Sequence, residues 1–148
     1  MTVWIDADAC PVTKEAVRLA KKYGVAVKCV CDCHHVLSSD YAEIITVGAG
    51  KDAADLWIAN HCERGDVVIT QDYGAATLAL SRGASAIHQS GAVYTKENID
   101  ALLFYRYEAQ KQRRAAGKTH LKGPKKRTAE EDRAFCEAFE KLLRERKQ

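Results

Sequence analysis

Five short apolar runs alternate with helical-period segments along residues 3–88, and short connections join them. The runs are Val3-Trp4-Ile5, VAVKCVCD, EIITVG, DVVITQD and ASAIH. After the first, Pro11 suits the opening turn of a helix, where its missing N–H costs nothing. Val12, Ala16, Leu19, Ala20 and Tyr23 follow at helical spacing, and Gly24 stops the helix. AADLWIANHCER, closed by Gly65, and YGAATLALSRG read as two further helices, whereas HHVLSSDY reads as a loop. Strands alternating with helices on short loops form βαβ units and a mainly parallel sheet. Right-handed crossovers then leave a doubly wound, three-layer α/β/α sandwich as the expected architecture.

From Thr95 the pattern changes. TKENIDALLFYRYEAQKQRRAAG predicts one long helix, and KTHLKGPKKR a basic linker broken by Gly and Pro. Thr128 and Glu131 have capping-box spacing. Phe135, Ala138, Phe139, Leu142 and Leu143 form one apolar stripe behind them, so a last helix is expected to pack back on the sheet. We expect a single domain over 1–148, with an α/β core over 1–94 and a helical, basic part over 95–148. No apolar run approaches the roughly 20 residues of a membrane span. The first strand begins where a signal peptide would have to lie, so the expected location is the cytoplasm, with no membrane partner. The six cysteines are then expected as free thiols.

Charge is divided unevenly. Residues 105–148 hold 14 Lys and Arg against 7 Asp and Glu, while the first 104 residues hold 9 against 13. Acids in front suit cations, and a basic back suits a polyanion.

The acids fall at particular places. Ligands of open α/β sheets bind beyond the carboxyl ends of the strands, at the topological switch point. Asp6 and Asp8 follow strand one, Asp72 ends the VVITQD run, and Asp52 and Asp55 open the helix after strand three. Any one of them could be an N-cap or a solvated strand end, Asp52 above all. Together, on one sheet edge, they would repel unless a cation lay between them. Mg²⁺ or Mn²⁺ suits carboxylate oxygens best, and such a site can serve in-line displacement at phosphorus.

These same blocks carry a resemblance. WIDADACP, GKDAADLWIA, GDVVITQDYGAA, GAVYTKENI and the late Gly-Pro followed by EDRAFCEAF resemble the YaiI/YqxD family over essentially the whole chain. That is a bacterial family without a firm activity, within the PIN-like superfamily. The resemblance implies a PIN-like sandwich and a Mg²⁺- or Mn²⁺-dependent nuclease, acting on RNA, with Asp6, Asp55 (or Asp52) and Asp72 as its acids. It makes Asp8 an auxiliary acid and Thr70 the hydroxyl residue of the strand-four motif. It also implies an acid between strands two and three, where the chain offers Asp40 and Glu43.

Two other functions fit parts of the sequence. Asp6-Ala-Asp8 resembles the opening of haloacid-dehalogenase-type phosphatases, which would make Asp6 the nucleophile, Asp8 the acid-base and Thr70 the phosphate-binding hydroxyl. A nucleic-acid-binding module with a vestigial metal site would instead rest on the basic segment, with Arg113, Arg114, Lys118, Lys122, Lys125, Lys126 and Arg127 on phosphates. Cys29, Cys31 and Cys33 alternate on one strand face and read as packing, although His34 and His35 would complete a zinc-type ligand set. Trp4 and Trp57 read as core. Tyr73 reads as packing at a helix start, and Cys10 is not expected to be a nucleophile. The sequence leaves the oligomeric state open.

Overall fold

The computed structural model describes residues 1–33, 37–50, 52–115 and 126–147. Its elements are β1 (Thr2–Asp6), a 3-10 turn (Ala7–Ala9), α1 (Thr13–Lys22), β2 (Ala26–Asp32), β3 (Glu43–Val47) and α2 (Ala53–His61). They are followed by β4 (Val67–Ile69), α3 (Tyr73–Ser81), β5 (Ser85–Ile87), β6 (Val93–Tyr94), α4 (Lys96–Ala115) and α5 (Ala129–Lys147). The sheet order is β3-β2-β1-β4-β5-β6. Every pairing is parallel except β5 with β6. The chain runs outward from β1 to β3, then crosses back to β4 on the other side of β1. The switch point therefore lies between β1 and β4.

Side-chain alternation along β1 builds the layers. Val3 and Ile5 face a core closed by Val12, by Ala16 and Leu19 of α1 and by Phe135, Phe139 and Leu143 of α5. Trp4 faces the other way, onto Ile58 of α2, Ala76 and Ala79 of α3 and Ile99 of α4. The three-layer α/β/α sandwich expected from the sequence is the observed architecture. The docked last helix is also present: Phe135, Phe139 and Leu143 are fully buried, and Phe135 stacks on Phe139. Its capping box is formed, with the Glu131 N–H donating to Thr128 Oγ1 and the Thr128 N–H to Glu131 Oε1.

Several local expectations are corrected. Pro11 lies in the turn before α1, because a 3-10 turn follows β1 and the helix starts only at Thr13. β4 ends at Ile69, so Asp72 stands beyond the strand as the N-cap of α3. β6, within GAVYT, is a strand that the apolar pattern did not announce. Trp57 is not core: it is exposed on α2 and stacks on His61 with ring centroids 4.0 Å apart. Asp66 is a buried acid, held by the Thr2 N–H, the Trp4 indole N–H and the Glu63 N–H at 2.9–3.0 Å. It pins the amino end of the sheet, opposite the edge that carries the other acids. Among the described residues, no helix is long and apolar enough to cross a membrane.

Candidate metal centre

At the carboxyl edge of the switch point, Asp6, Asp8, Asp52, Asp55 and Asp72 line one cleft of about 680 Å³. Different elements deliver them: Asp6 ends β1, Asp8 sits in the 3-10 turn, Asp52 and Asp55 belong to the start of α2, and Asp72 caps α3. One carboxylate oxygen from each of Asp52, Asp55 and Asp72 lies within 4.8 Å of the others, forming a candidate metal-holding cluster.

Asp72 caps α3 in fact as well as in position, with its Oδ1 accepting the Ala75 N–H at 2.8 Å. Its other carboxylate oxygen is not used by that cap bond. Asp52 occupies the N-cap position of α2 but makes no side-chain cap bond, so capping does not account for its carboxylate. Thr70, buried at 3% exposure, ties the two strand ends together. Its hydroxyl donates to Asp6 Oδ2 at 3.4 Å and accepts the Asp72 N–H at 3.0 Å. With that hydroxyl engaged, Thr70 is poorly placed to bind the phosphate that a phosphatase would present. Asp8 also has a structural task, since its Oδ1 accepts the Asp32 N–H at 2.8 Å and joins the 3-10 turn to β2.

Asp55 is the electrostatic centre of the group. Its Oδ1 is buried without a hydrogen-bond partner. Burial, then a hydrogen bond with Asp6, then the charges of Asp6, Asp72 and Asp52 push its carboxyl up to about 9. Without a cation the folded chain therefore holds a proton at Asp55 that the unfolded chain releases near the usual carboxylate value. Stability from that proton is full below the unfolded value and declines as pH rises from about 4 to about 9. Metal-free Asp55→Asn, which needs no proton, should melt at a higher temperature than the parent chain at pH 8. The difference should shrink toward pH 5, and thermal unfolding in a chelator at the two pH values checks it.

All these donors are carboxylate oxygens, and one buried oxygen is orphaned. This donor chemistry fits a hard divalent cation and not zinc, which favours sulfur and nitrogen. Asp40 and Glu43 lie outside the cleft lining and pair with Lys21 and Lys28, each at 3.8 Å. Cys29 and Cys31 are buried and Cys33 is exposed, while His34 and His35 lie outside the described residues. Burial drives the Cys29 thiol up to about 11 and raises that of Cys10, which leaves both poor nucleophiles at neutral pH.

The far wall of the cleft comes from α4, through Leu102, Tyr105, Ala109, Gln110 and Arg113. Sequence reasoning had Arg113 only within a basic run. Its place beside the acids, like the lining role of Tyr105 and Gln110, depends on how α4 crosses α2 and α3, which no local pattern encodes. Gln71 and Tyr73 also line the cleft, and Tyr73 meets Tyr94 edge-on with ring centroids 5.8 Å apart. Arg114 is exposed at the end of α4, and Lys126 is exposed before α5. Arg127 is engaged within the fold, at 2.6 Å from both Asp132 Oδ1 and the Gln89 carbonyl. Lys118, Lys122 and Lys125 lie outside the described residues.

A family model described as "Uncharacterized BCR, YaiI/YqxD family" matches residues 4–145. The chain is 50% identical over 143 residues to a UPF0178 protein of Clostridium acetobutylicum, covering 97% of each. It is also 50% identical over 146 residues to one from Exiguobacterium sibiricum, covering 99% of each. A third, from Alkaliphilus oremlandii, is 51% identical over 135 residues, covering 91% of this chain and 86% of the relative. No solved structure matches the chain.

Proposed function

We propose that this chain, which belongs to the YaiI/YqxD family, is a divalent-cation-dependent phosphodiesterase of PIN-like type acting on RNA. The observation that carries this reading is the Asp52–Asp55–Asp72 cluster at the switch point, together with the buried, unpartnered Oδ1 of Asp55. When bound there, Mg²⁺ or Mn²⁺ would supply Lewis-acid chemistry to phosphate oxygens and water.

The chain's own residues have distinct tasks. Asp52, Asp55 and Asp72 would hold the cation, and Asp6, whose charge bears on Asp55, completes the anionic floor. Thr70 is a positioning residue that keeps Asp6 and Asp72 in register through one hydroxyl. Asp8 lines the cleft while anchoring the 3-10 turn, so we assign it an auxiliary part. Arg113, on the opposite wall, faces the phosphates of an entering strand, and Arg114 and Lys126 extend the basic path. In the reaction water adds to phosphorus and one P–O ester bond breaks, leaving a phosphomonoester and a hydroxyl.

The test is hydrolysis of single-stranded RNA with Mg²⁺ or Mn²⁺, using Asp72→Asn as control. We expect cleavage that stops with chelator and is lost in the variant. RNA binding that is steep in salt, without cleavage and indifferent to Asp72→Asn, would leave a binding module with a vestigial site. Release of phosphate from small phosphomonoesters alone would favour the phosphatase.

A further inference from the structure

A second groove, of about 530 Å³, opens from the acid cluster and shares Asp52, Asp55 and Asp72 with the cleft. Its other walls are mainly apolar. Leu56 of α2, Leu78 of α3 and Leu103 of α4 converge on it while 55%, 46% and 37% exposed. Three large aliphatic side chains left in water on three helices, beside carboxylates, are not explained by packing.

We propose that this groove is a nucleobase subsite: it takes the unpaired base of the nucleotide whose phosphate lies at the acid cluster. The inference rests on the phosphodiesterase reading above and deepens it. Because groove and cleft share three carboxylates, an occupant of one lies within a nucleoside's reach of an occupant of the other. Among the described residues no Lys or Arg lines the groove, whereas Arg113 lines the cleft, so the charged backbone belongs in the cleft and an uncharged flat group in the groove. Apolar walls can hold the face of an unstacked base without reading its edges. Self-association through this surface would bring the aspartates of two copies together and is disfavoured by their repulsion. A base held here has left its stack and its partner, so duplexes are poor ligands.

The experiment measures binding alone. Full-length chain is titrated in Mg²⁺ into a short end-labelled single-stranded RNA, and into the same RNA with one abasic position, stepped along the strand. Mn²⁺ binding and thermal unfolding are followed in parallel. The parent chain should bind the intact RNA roughly tenfold more tightly than the RNA carrying the worst-placed abasic site. Leu78→Ser and Leu103→Ser, both exposed positions, should each lose roughly that factor on intact RNA and little on abasic RNA. Both should keep the parent Mn²⁺ affinity and melting temperature. Equal affinity for intact and abasic RNA, losses of the same size on both RNAs, or no RNA binding at all would overturn the subsite. Failure of the metal reading appears separately, as Mn²⁺ binding unaffected by Asp72→Asn.

Discussion

Asp6→Asn should reduce cation-dependent cleavage by roughly a hundredfold or more while leaving the melting temperature unchanged or higher. Asp6 lies beside β4 at the switch point and is hydrogen-bonded to Asp55. Asparagine keeps its shape and an oxygen that can still accept from the Thr70 hydroxyl, so the strand ends stay in register. What disappears is one negative charge from a crowded group. For the metal-free fold that loss relieves repulsion; for a site that gathers a cation it removes attraction. A residue needed only for folding would show the opposite pattern, with stability and activity falling together. The paired measurement is cleavage rate against Mn²⁺ concentration alongside thermal unfolding in chelator.

Gly91→Ala should destabilise the fold by about 3 kcal/mol and release α5 from the sheet. Gly91 has φ +95°, where an L side chain is strained. A Cβ there would sit 2.7 Å from the Ala134 carbonyl oxygen and 2.9 Å from its carbon, which are backbone atoms of α5 and cannot turn aside. The helix would have to lift, uncovering Phe135 and Phe139. Denaturant unfolding should place the midpoint well below that of the parent chain, with 1-anilinonaphthalene-8-sulfonate binding at lower denaturant. Ser90→Ala, one residue away and free of this contact, should cost far less.

The acid edge was legible because its cause is topological: once β1 and β4 are recognised as parallel neighbours, residues after both must share one end of the sheet. The docking of α5 was legible because Phe135, Phe139 and Leu143 repeat on one helical face. Other features depend on contacts far apart in sequence. DVVITQD looks like a seven-residue strand because every residue through Thr70 is buried, yet the ladder stops at Ile69 and Asp72 turns to cap α3. Asp66, which opens that run, is buried, and its carboxylate is satisfied in part by Trp4, 62 positions away. Trp57 looked like core because large aromatics usually are, but on α2 it is exposed and stacks on His61, one turn on in the same helix. The α4 wall of the cleft was hidden for the same reason.

The central claim is that the aspartates gather a divalent cation around the orphaned carboxylate oxygen of Asp55. Calorimetric titration with Mn²⁺ at pH 7.5, in two buffers of different ionisation enthalpy, tests it most directly. Because metal-free Asp55 carries a proton at that pH, the account predicts binding with release of close to one proton per site. Asp72→Asn should abolish the binding, and Asp55→Asn should abolish both the binding and the proton release. Absence of Mn²⁺ binding by the parent chain, or binding of equal strength in both variants, would contradict it.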